Sequence, residues 1–323
     1  MTAAHSRSPV RGAVFALTGA LLFGINGSVA KVVIGAGITP EQITFLRSLS
    51  AALISGAVLL FTARVHFRLS AREIGYFALL GVLGVAIIQW LYAVAIARLP
   101  VGVALLIEYT AVVLVALAAW LIFKERVHQR LWIAIAAVIV GLAVVAQVWD
   151  SQLNALGVIA AFGAAIAYAF YFLAGERGVA RRPAMAVAFW STLFAALTWA
   201  LFSQWWNIDP SLLVTRVSLT GALSDAVVPV WVPLAWVLTL GSFAPFVLSF
   251  AALRHLSATA VGILASAEVL FAFVVAWLWL GETLAAIQIA GAGLVLAGIV
   301  IAQTARDTKH ATVESAADPA EVP

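Results

Sequence analysis

The chain has 323 residues, of which 64% are hydrophobic and only 10% charged, with a formal charge of +4 and no cysteine. That balance excludes an ordinary soluble globular domain as the main architecture. The missing thiols exclude disulfides, thiolate metal sites and cysteine nucleophiles, and the positive charge is no sign of nucleic-acid binding, because the basic residues are sorted by position along the chain.

A helix needs roughly 20 apolar residues to cross the hydrocarbon core of a bilayer. Stretches of that kind run over 12–34, 42–63, 74–97, 100–123, 131–149, 155–175, 183–203, 231–253, 257–280 and 284–304, and they predict ten membrane-spanning helices. The first follows a short leader and lacks a small-residue cleavage site, so it reads as a retained helix rather than a signal peptide. Asn26 lies in its middle, between Gly24 and Gly27, which allow close backbone approach. The match of Asn26-Gly27-Ser28 to a glycosylation sequon is discounted at that depth. Lys31, near the end of the same helix, is expected to snorkel.

Helix 2 carries Arg47, a candidate to bind a carboxylate or to pair with Glu108, against the plainer reading of a structural arginine. On helix 3, Gln89 and Tyr92 share a face. Helix 4 holds Glu108 about a third of the way in, and helix 9 holds Glu268 near its middle. Insertion of an ionised side chain at such depth costs roughly 2.5–3.5 kcal/mol, so both acids should face protein or water. They are candidates to bind a cationic group or cycle protons; the alternative is a structural, hydrogen-bonded carboxyl.

Tyr168 and Tyr171 repeat the Gln89–Tyr92 spacing on helix 6, and Trp190 is on helix 7. Aromatic residues with a polar tip suit a pocket for amphipathic metabolites, or else simple helix packing. Trp205 and Trp206 open the connection 204–230 where an interfacial belt would sit, and Pro210 there suggests a short surface helix or a small lid. Pro245, after Gly241-Ser242, predicts a kink or local unwinding in helix 8. The tail 305–323, rich in Ala, Asp, Glu and Thr, is expected to be disordered and cytoplasmic.

Arg7, Arg11, Arg64, Arg68, Arg72, Lys124, Arg126, Arg130, Arg177, Arg181, Arg182, Arg254, Arg306 and Lys309 all fall on one side of a ten-span topology, and Arg98 and Arg216 on the other. Basic residues accumulate on the cytoplasmic side, which predicts both termini inside.

Shifting the chain by 157 residues lays Ala119-Trp120-Leu121 on Ala276-Trp277-Leu278, Glu125 on Glu282 and Gly141 on Gly298. Two units follow, 12–149 and 155–304. Five helices is an odd number, so the second unit enters the membrane from the opposite side. Inverted repeats around a midplane site are a recurring design of secondary transporters. By this shift Glu108 falls on Ala265, about one helical turn from Glu268, so both acids can face a common cavity.

The chain resembles the EamA-type family of the drug/metabolite transporter superfamily. The resemblance rests on Phe23-Gly24, Phe45-Leu46-Arg47, the pattern Tyr92, Ala95, Leu99-Pro100, and Leu280-Gly281-Glu282-Thr283. Glu108-Tyr109-Thr110 and Ser266-Ala267-Glu268 are similar to motifs of threonine/homoserine exporter-like members. Val112 and Val269 stand where those members have proline; valine keeps the backbone hydrogen bond, so straighter helices are expected.

The resemblance implies an all-α basket of ten helices around a central cavity in a bacterial inner membrane. It also implies alternating access and export of small metabolites such as amino acids, without a cofactor. Glu108, Glu268, Arg47, Asn26, Gln89, Tyr92 and Tyr168 are the expected site, with protons as a candidate coupling ion. An uncoupled facilitative transporter of the same fold, a membrane-embedded lipid enzyme and a non-transporting scaffold are the alternatives. The five histidines form no metal constellation in the sequence, and the phosphate-loop, His-Glu-x-x-His and Gly-x-Ser-x-Gly signatures are absent.

Overall fold

A computed structural model of the chain describes residues 8–121, 129–145, 153–179, 181–253, 255, 264–283 and 285–304. Lys124, Arg126, Glu125 and the tail 305–323 lie outside the described residues. In lipid every backbone polar group must be satisfied within its own segment, which makes helix the natural state of such apolar runs. Helix α1 (Pro9–Gly35) starts with proline in its first turn and a Ser8 side chain accepting from the Arg11 N–H. Capping boxes start α2 (Pro40–Thr62), through Thr39 and Gln42, and α3 (Ala71–Ile96), through Ser70 and Glu73.

The chain continues through α4 (Val101–Glu108), α5 (Ala111–Leu121), α6 (Arg130–Val145), α7 (Ala155–Val179) and α8 (Ala184–Phe202). Beyond the 204–230 connection lie α10 (Trp231–Leu253), α11 (Ala267–Val275) and α12 (Ala286–Thr304). Pro9–Gly35, Pro40–Thr62, Ala71–Ile96, Ala155–Val179, Met185–Phe202 and Trp231–Ser249 are long and apolar enough to cross a membrane. Shorter apolar helices, Val101–Val115, Trp132–Val145, Ala267–Leu280 and Ala286–Ile301, occupy the other expected positions. Large apolar side chains such as Leu53, Ile139, Ile166 and Leu270 point outward, as a lipid-facing surface requires.

The expected straightness at Val112 and Val269 is corrected, because both helices are interrupted. Between α4 and α5, Tyr109 and Thr110 form a turn. There the Thr110 N–H bonds to the Ile107 carbonyl at 3.1 Å, and the Thr110 hydroxyl takes the same carbonyl at 2.7 Å. Before α11 the chain turns at Ser266, whose carbonyl accepts from the Val269 N–H at 3.2 Å. Tight three-residue closures and a hydroxyl competing for backbone therefore break these helices without proline. Tyr109 and Ser266 are related by the same 157-residue shift as the sequence matches.

Of the three π-helical segments among the described residues, the last being Ala276–Leu280, two fall close to the same shift. Leu80–Ala86 sits inside α3, and Thr239–Phe243 sits inside α10 just ahead of Pro245, where local unwinding is expected. Helix α2 packs on α8, α1 on α10 and α11, and α7 on α3, α4 and α5. The most extensive packing is between α6 and α12. A Cβ on Gly141 would lie 2.8 Å from the Gly291 carbonyl oxygen, and one on Gly298 would lie 2.8 Å from that of Ala134. Shifting Ala134 and Gly141 by 157 gives Gly291 and Gly298, so the contact maps onto itself with its partners exchanged.

Helix ends gather in two groups. At one end, the Ser8 N–H donates to His255 Nδ1 (3.4 Å), Arg182 pairs with Glu73 (2.7 Å), and Trp190 Nε1 donates to the His66 carbonyl (3.0 Å). At the other end lie Lys31, Leu99 to Val101, Glu282 and the 204–230 connection. That connection holds the short helix that its sequence suggests. A 3₁₀ turn (Trp205–Asn207) and a short helix α9 (Pro210–Val214) precede two strands, β1 (Arg216–Ser218) and β2 (Val227–Pro229). The strands pair antiparallel, with Val217 opposite Val228. The whole forms a strap, stacked on α2 through Trp205 and Phe45 (centroids 5.9 Å apart) and tied to Trp279, whose Nε1 donates to the Leu219 carbonyl (2.9 Å).

Candidate functional site

The interruption that ends α4 places Glu108 at the last helical position before the turn, in the middle of the bundle. The interruption before α11 places Glu268 in that helix's first turn. The two breaks touch through Tyr109, whose hydroxyl donates to Glu268 Oε2 at 2.6 Å, with the Ala265 carbonyl 3.2 Å from the same oxygen. Tyr168 on α7 meets the Tyr109 ring edge to face, 5.9 Å between centroids. Glu108 and Glu268 lie within electrostatic range of each other and of Arg47, Tyr92 and Tyr168.

Arg47 is positioned by the π turn of α10. The extra residue in that turn brings Ser242 Oγ to the Val237 carbonyl five residues back (2.7 Å), and the same oxygen accepts from Arg47 Nε at 3.0 Å. The ion pairs among the described residues are Lys31–Glu282 and Arg182–Glu73, so Arg47 and Glu108 share a compartment without forming the direct pair considered from sequence. Nε to Ser242 is the side-chain hydrogen bond that Arg47 makes among the described residues, and it leaves the two terminal nitrogens of the guanidinium fork for another acceptor. Asn26 sits against the same π turn, and only glycine fits opposite it: a Cβ on Gly241 would lie 1.9 Å from Asn26 Oδ1. Gly27, one residue on, lets Tyr92 approach α1, where a Cβ would come within 2.5 Å of the Tyr92 hydroxyl. Gln89 donates to Ser48 Oγ at 3.4 Å, a long bond beside Arg47 on α2.

Asn26, Arg47, Gln89, Tyr92, Glu108 and Glu268 are all buried, with Glu108 and Arg47 each only 6% exposed. Tyr168 is half-buried. These side chains form an enclosed cluster in this conformation. Among the described residues, Glu108 Oε2 and Asn26 Oδ1 within it have no hydrogen-bond partner, nor does Ser28 Oγ two residues beyond Asn26. A buried polar atom without a partner loses its hydration with nothing in return, and the loss is greatest for a carboxylate. The cluster thus holds both unpartnered acceptors and a cationic fork.

Tyr109 and Ser242 are the members that residue chemistry did not single out. Both were visible in part: Tyr109 falls on Ser266 under the 157-residue shift, and Ser242 precedes the helix-breaking Pro245. Tyr171 borders the cluster through Tyr168, 6.0 Å between ring centroids. Trp190 packs elsewhere, edge-on to Phe189 and tilted against Phe194 near the Arg182 end. Among the described residues no group of three or more His, Asp or Glu is arranged to hold a metal ion.

A solved structure covers 91% of this chain and 97% of its own, with a TM-score of 0.59 at 19% identity, which establishes the fold alone. Among proteins of known sequence, the uncharacterized transporter YdfC of Bacillus subtilis is 22% identical over 265 residues, 81% of each chain. The threonine/homoserine exporter RhtA of Escherichia coli K12 is 29% identical over 219 residues, 65% of this chain and 64% of the exporter. The profile of the EamA-like transporter family matches residues 10–147 and again 155–304. With a match across nearly the whole length and helices built to cross a bilayer, this chain is a multi-pass membrane protein that belongs to the EamA-like transporter family.

Proposed function

We propose that the protein is an inner-membrane secondary transporter that exports small zwitterionic metabolites, amino acids first among them. The observation that carries this reading is the pairing of opposite unmet needs in one enclosed cluster. Glu108 Oε2 lacks a donor, and the Arg47 fork retains two nitrogens for an acceptor. An α-amino acid supplies both: its ammonium meets Glu108, and its carboxylate meets Arg47 as a bidentate pair. Asn26, Gln89, Tyr92 and Tyr168 shape the remaining wall. The resemblance to a threonine/homoserine exporter supports the substrate class.

In this reading ten helices form two inverted five-helix repeats, 12–149 and 155–304, with both termini in the cytoplasm. Support comes from the double family match, the breaks at Tyr109 and Ser266, and the exchanged α6–α12 contact. The repeats rock about the site and expose it to each side in turn. A proton on Glu108 or Glu268 removes the same desolvation burden as the cargo ammonium, which makes proton exchange for cargo the natural coupling. Facilitated diffusion without a coupling ion is the second reading, favoured by the Tyr109–Glu268 hydrogen bond if that carboxyl is purely structural.

The test is uptake into proteoliposomes of an amino acid beside its decarboxylated amine and its deaminated acid. The zwitterion alone should move well. Equal movement of all three, or movement of none under any imposed gradient, would defeat the proposal.

A further inference from the structure

The polar end of the bundle away from Glu73 and Arg182 holds an ion pair that the site does not use. Lys31 Nζ, at the end of α1, lies 2.5 Å from Glu282 Oε1, in the connection that follows α11. The other carboxylate oxygen, Oε2, accepts from the Val101 backbone N–H at 3.0 Å, capping the start of α4. Lys31 also donates to the Leu99 carbonyl at 3.3 Å. Two side chains thus tie three separate segments together, directly over the helix that ends in Glu108. The expected snorkelling of Lys31 is replaced by this pairing.

Both members are largely shielded, Glu282 at 16% and Lys31 at 34% side-chain exposure, so water screens the pair only in part. The strap presses on the same spot. Leu219 holds Trp279, and Gly221 lies so close that a Cβ there would meet the Trp279 carbonyl at 1.8 Å. At its other end the strap grips α2, through the Trp205–Phe45 stack and a long contact from Gln42 Nε2 to the Gln204 carbonyl at 3.5 Å. The segment bearing Glu282 is therefore clamped from outside by the strap and from inside by Lys31 and Val101.

We propose that Lys31 and Glu282 form the latch of the outer gate: their ion pair, braced by the 204–230 strap, seals the enclosed cluster on this side and must open for cargo to leave. The proposal rests on the transporter reading above. Opening the gate moves α4 away from α1 and α11, and that motion removes Val101 and Leu99 from their bonds to Glu282 and Lys31. The latch couples release to the helix that carries Glu108.

The chain has no cysteine, so introduced thiols are unique. Lys31→Cys with Glu282→Cys, bridged by a short bis-thiosulfonate reagent that a reductant removes, should lose amino-acid counterflow when bridged and regain it on reduction. Undiminished counterflow by the bridged protein would overturn the proposal. A second measurement reads the gate without cargo. Ala104, fully buried one turn inside Val101, is replaced by cysteine and labelled with a membrane-impermeant thiol reagent from the strap side. Glu282→Gln keeps an acceptor for Val101 and removes the ion pair, so it should speed that labelling. Labelling at the Ala104→Cys rate would sink the latch, whatever the wild type transports. A wild type that moves no amino acid, with faster labelling in Glu282→Gln, would leave the gate standing and remove the cargo assignment.

Discussion

Tyr109→Phe removes one oxygen and with it the link between the two helix breaks. The hydroxyl it deletes donates to Glu268 Oε2 at 2.6 Å, with the Ala265 carbonyl 3.2 Å from the same oxygen, while the ring keeps its contact with Tyr168. A hydrogen bond to an ionised group contributes about 1.5–3 kcal/mol, and a neutral one about 1 kcal/mol. The phenyl ring leaves no cavity beyond a hydroxyl, so the fold should hold with a modest drop in thermal stability. If Glu268 takes part in the transport cycle, misplacing its carboxylate by the loss of the charge-assisted bond slows exchange about ten- to 150-fold, at 1.36 kcal/mol per factor of ten. The assay is counterflow of a labelled amino acid at matched amounts of folded protein. Tyr76→Phe is the control, because its hydroxyl donates to the Ala174 carbonyl far from the cluster. Wild-type counterflow by Tyr109→Phe, or an equal defect in Tyr76→Phe, would refute the assignment of Tyr109 as a positioning residue.

Ser242→Ala strips Arg47 of its Nε acceptor and should raise the KM for the zwitterion by about tenfold, near the low end of the same energy range; Ser242→Thr should restore it, and an unchanged KM in Ser242→Ala would speak against Arg47 as the carboxylate anchor. Gly141→Ala drives a methyl group against the Gly291 carbonyl and should destabilise the α6–α12 pair by about 1–3 kcal/mol in detergent unfolding. Gly293→Ala, on the partner helix α12 with open space around it, should be neutral or stabilising by up to about 1 kcal/mol. Asp209 caps α9, and hydrogen bonding to Ser211 holds its carboxyl below the usual aspartate range. A lowered folded value means that its contribution is complete above the ordinary aspartate pKa and is lost as pH falls through the lowered one. Protection of the Ser211 amide, its exchange rate measured against the unfolded chain at the same pH, should therefore persist into mild acid and fall below it, and Asp209→Asn should flatten that dependence.

Composition and periodicity made the helices legible because lipid leaves the backbone no alternative. Glu108 and Glu268 stood out for the same reason: a charge in so apolar a run demands an explanation. The interruptions at Tyr109 and Ser266 were not legible, since proline is the residue expected to break a helix and valine stands in its place. They arise from a threonine hydroxyl and short backbone closures, which depend on what packs against the turn. Ser242 was hidden similarly, because its role comes from a π turn that no side-chain pattern announces. Lys31 looked like a snorkelling residue because its partner, Glu282, lies 251 residues away. The lesson lies in topology: sequence names the costly residues, while the long-range meeting of helix ends decides what each is paired with.

The most direct test of the central claim is proteoliposome counterflow with a labelled amino-acid panel, comparing wild type with Glu108→Gln and Glu268→Gln. Counterflow needs no net driving force, so it reads binding and translocation apart from coupling. The account predicts exchange of amino acids by wild type and its loss in Glu108→Gln, whose amide cannot balance the cargo ammonium. Exchange retained in Glu268→Gln together with loss of pH-driven uptake would make that carboxylate the proton carrier. Full exchange by Glu108→Gln, or none by wild type with any amino acid, would contradict the account.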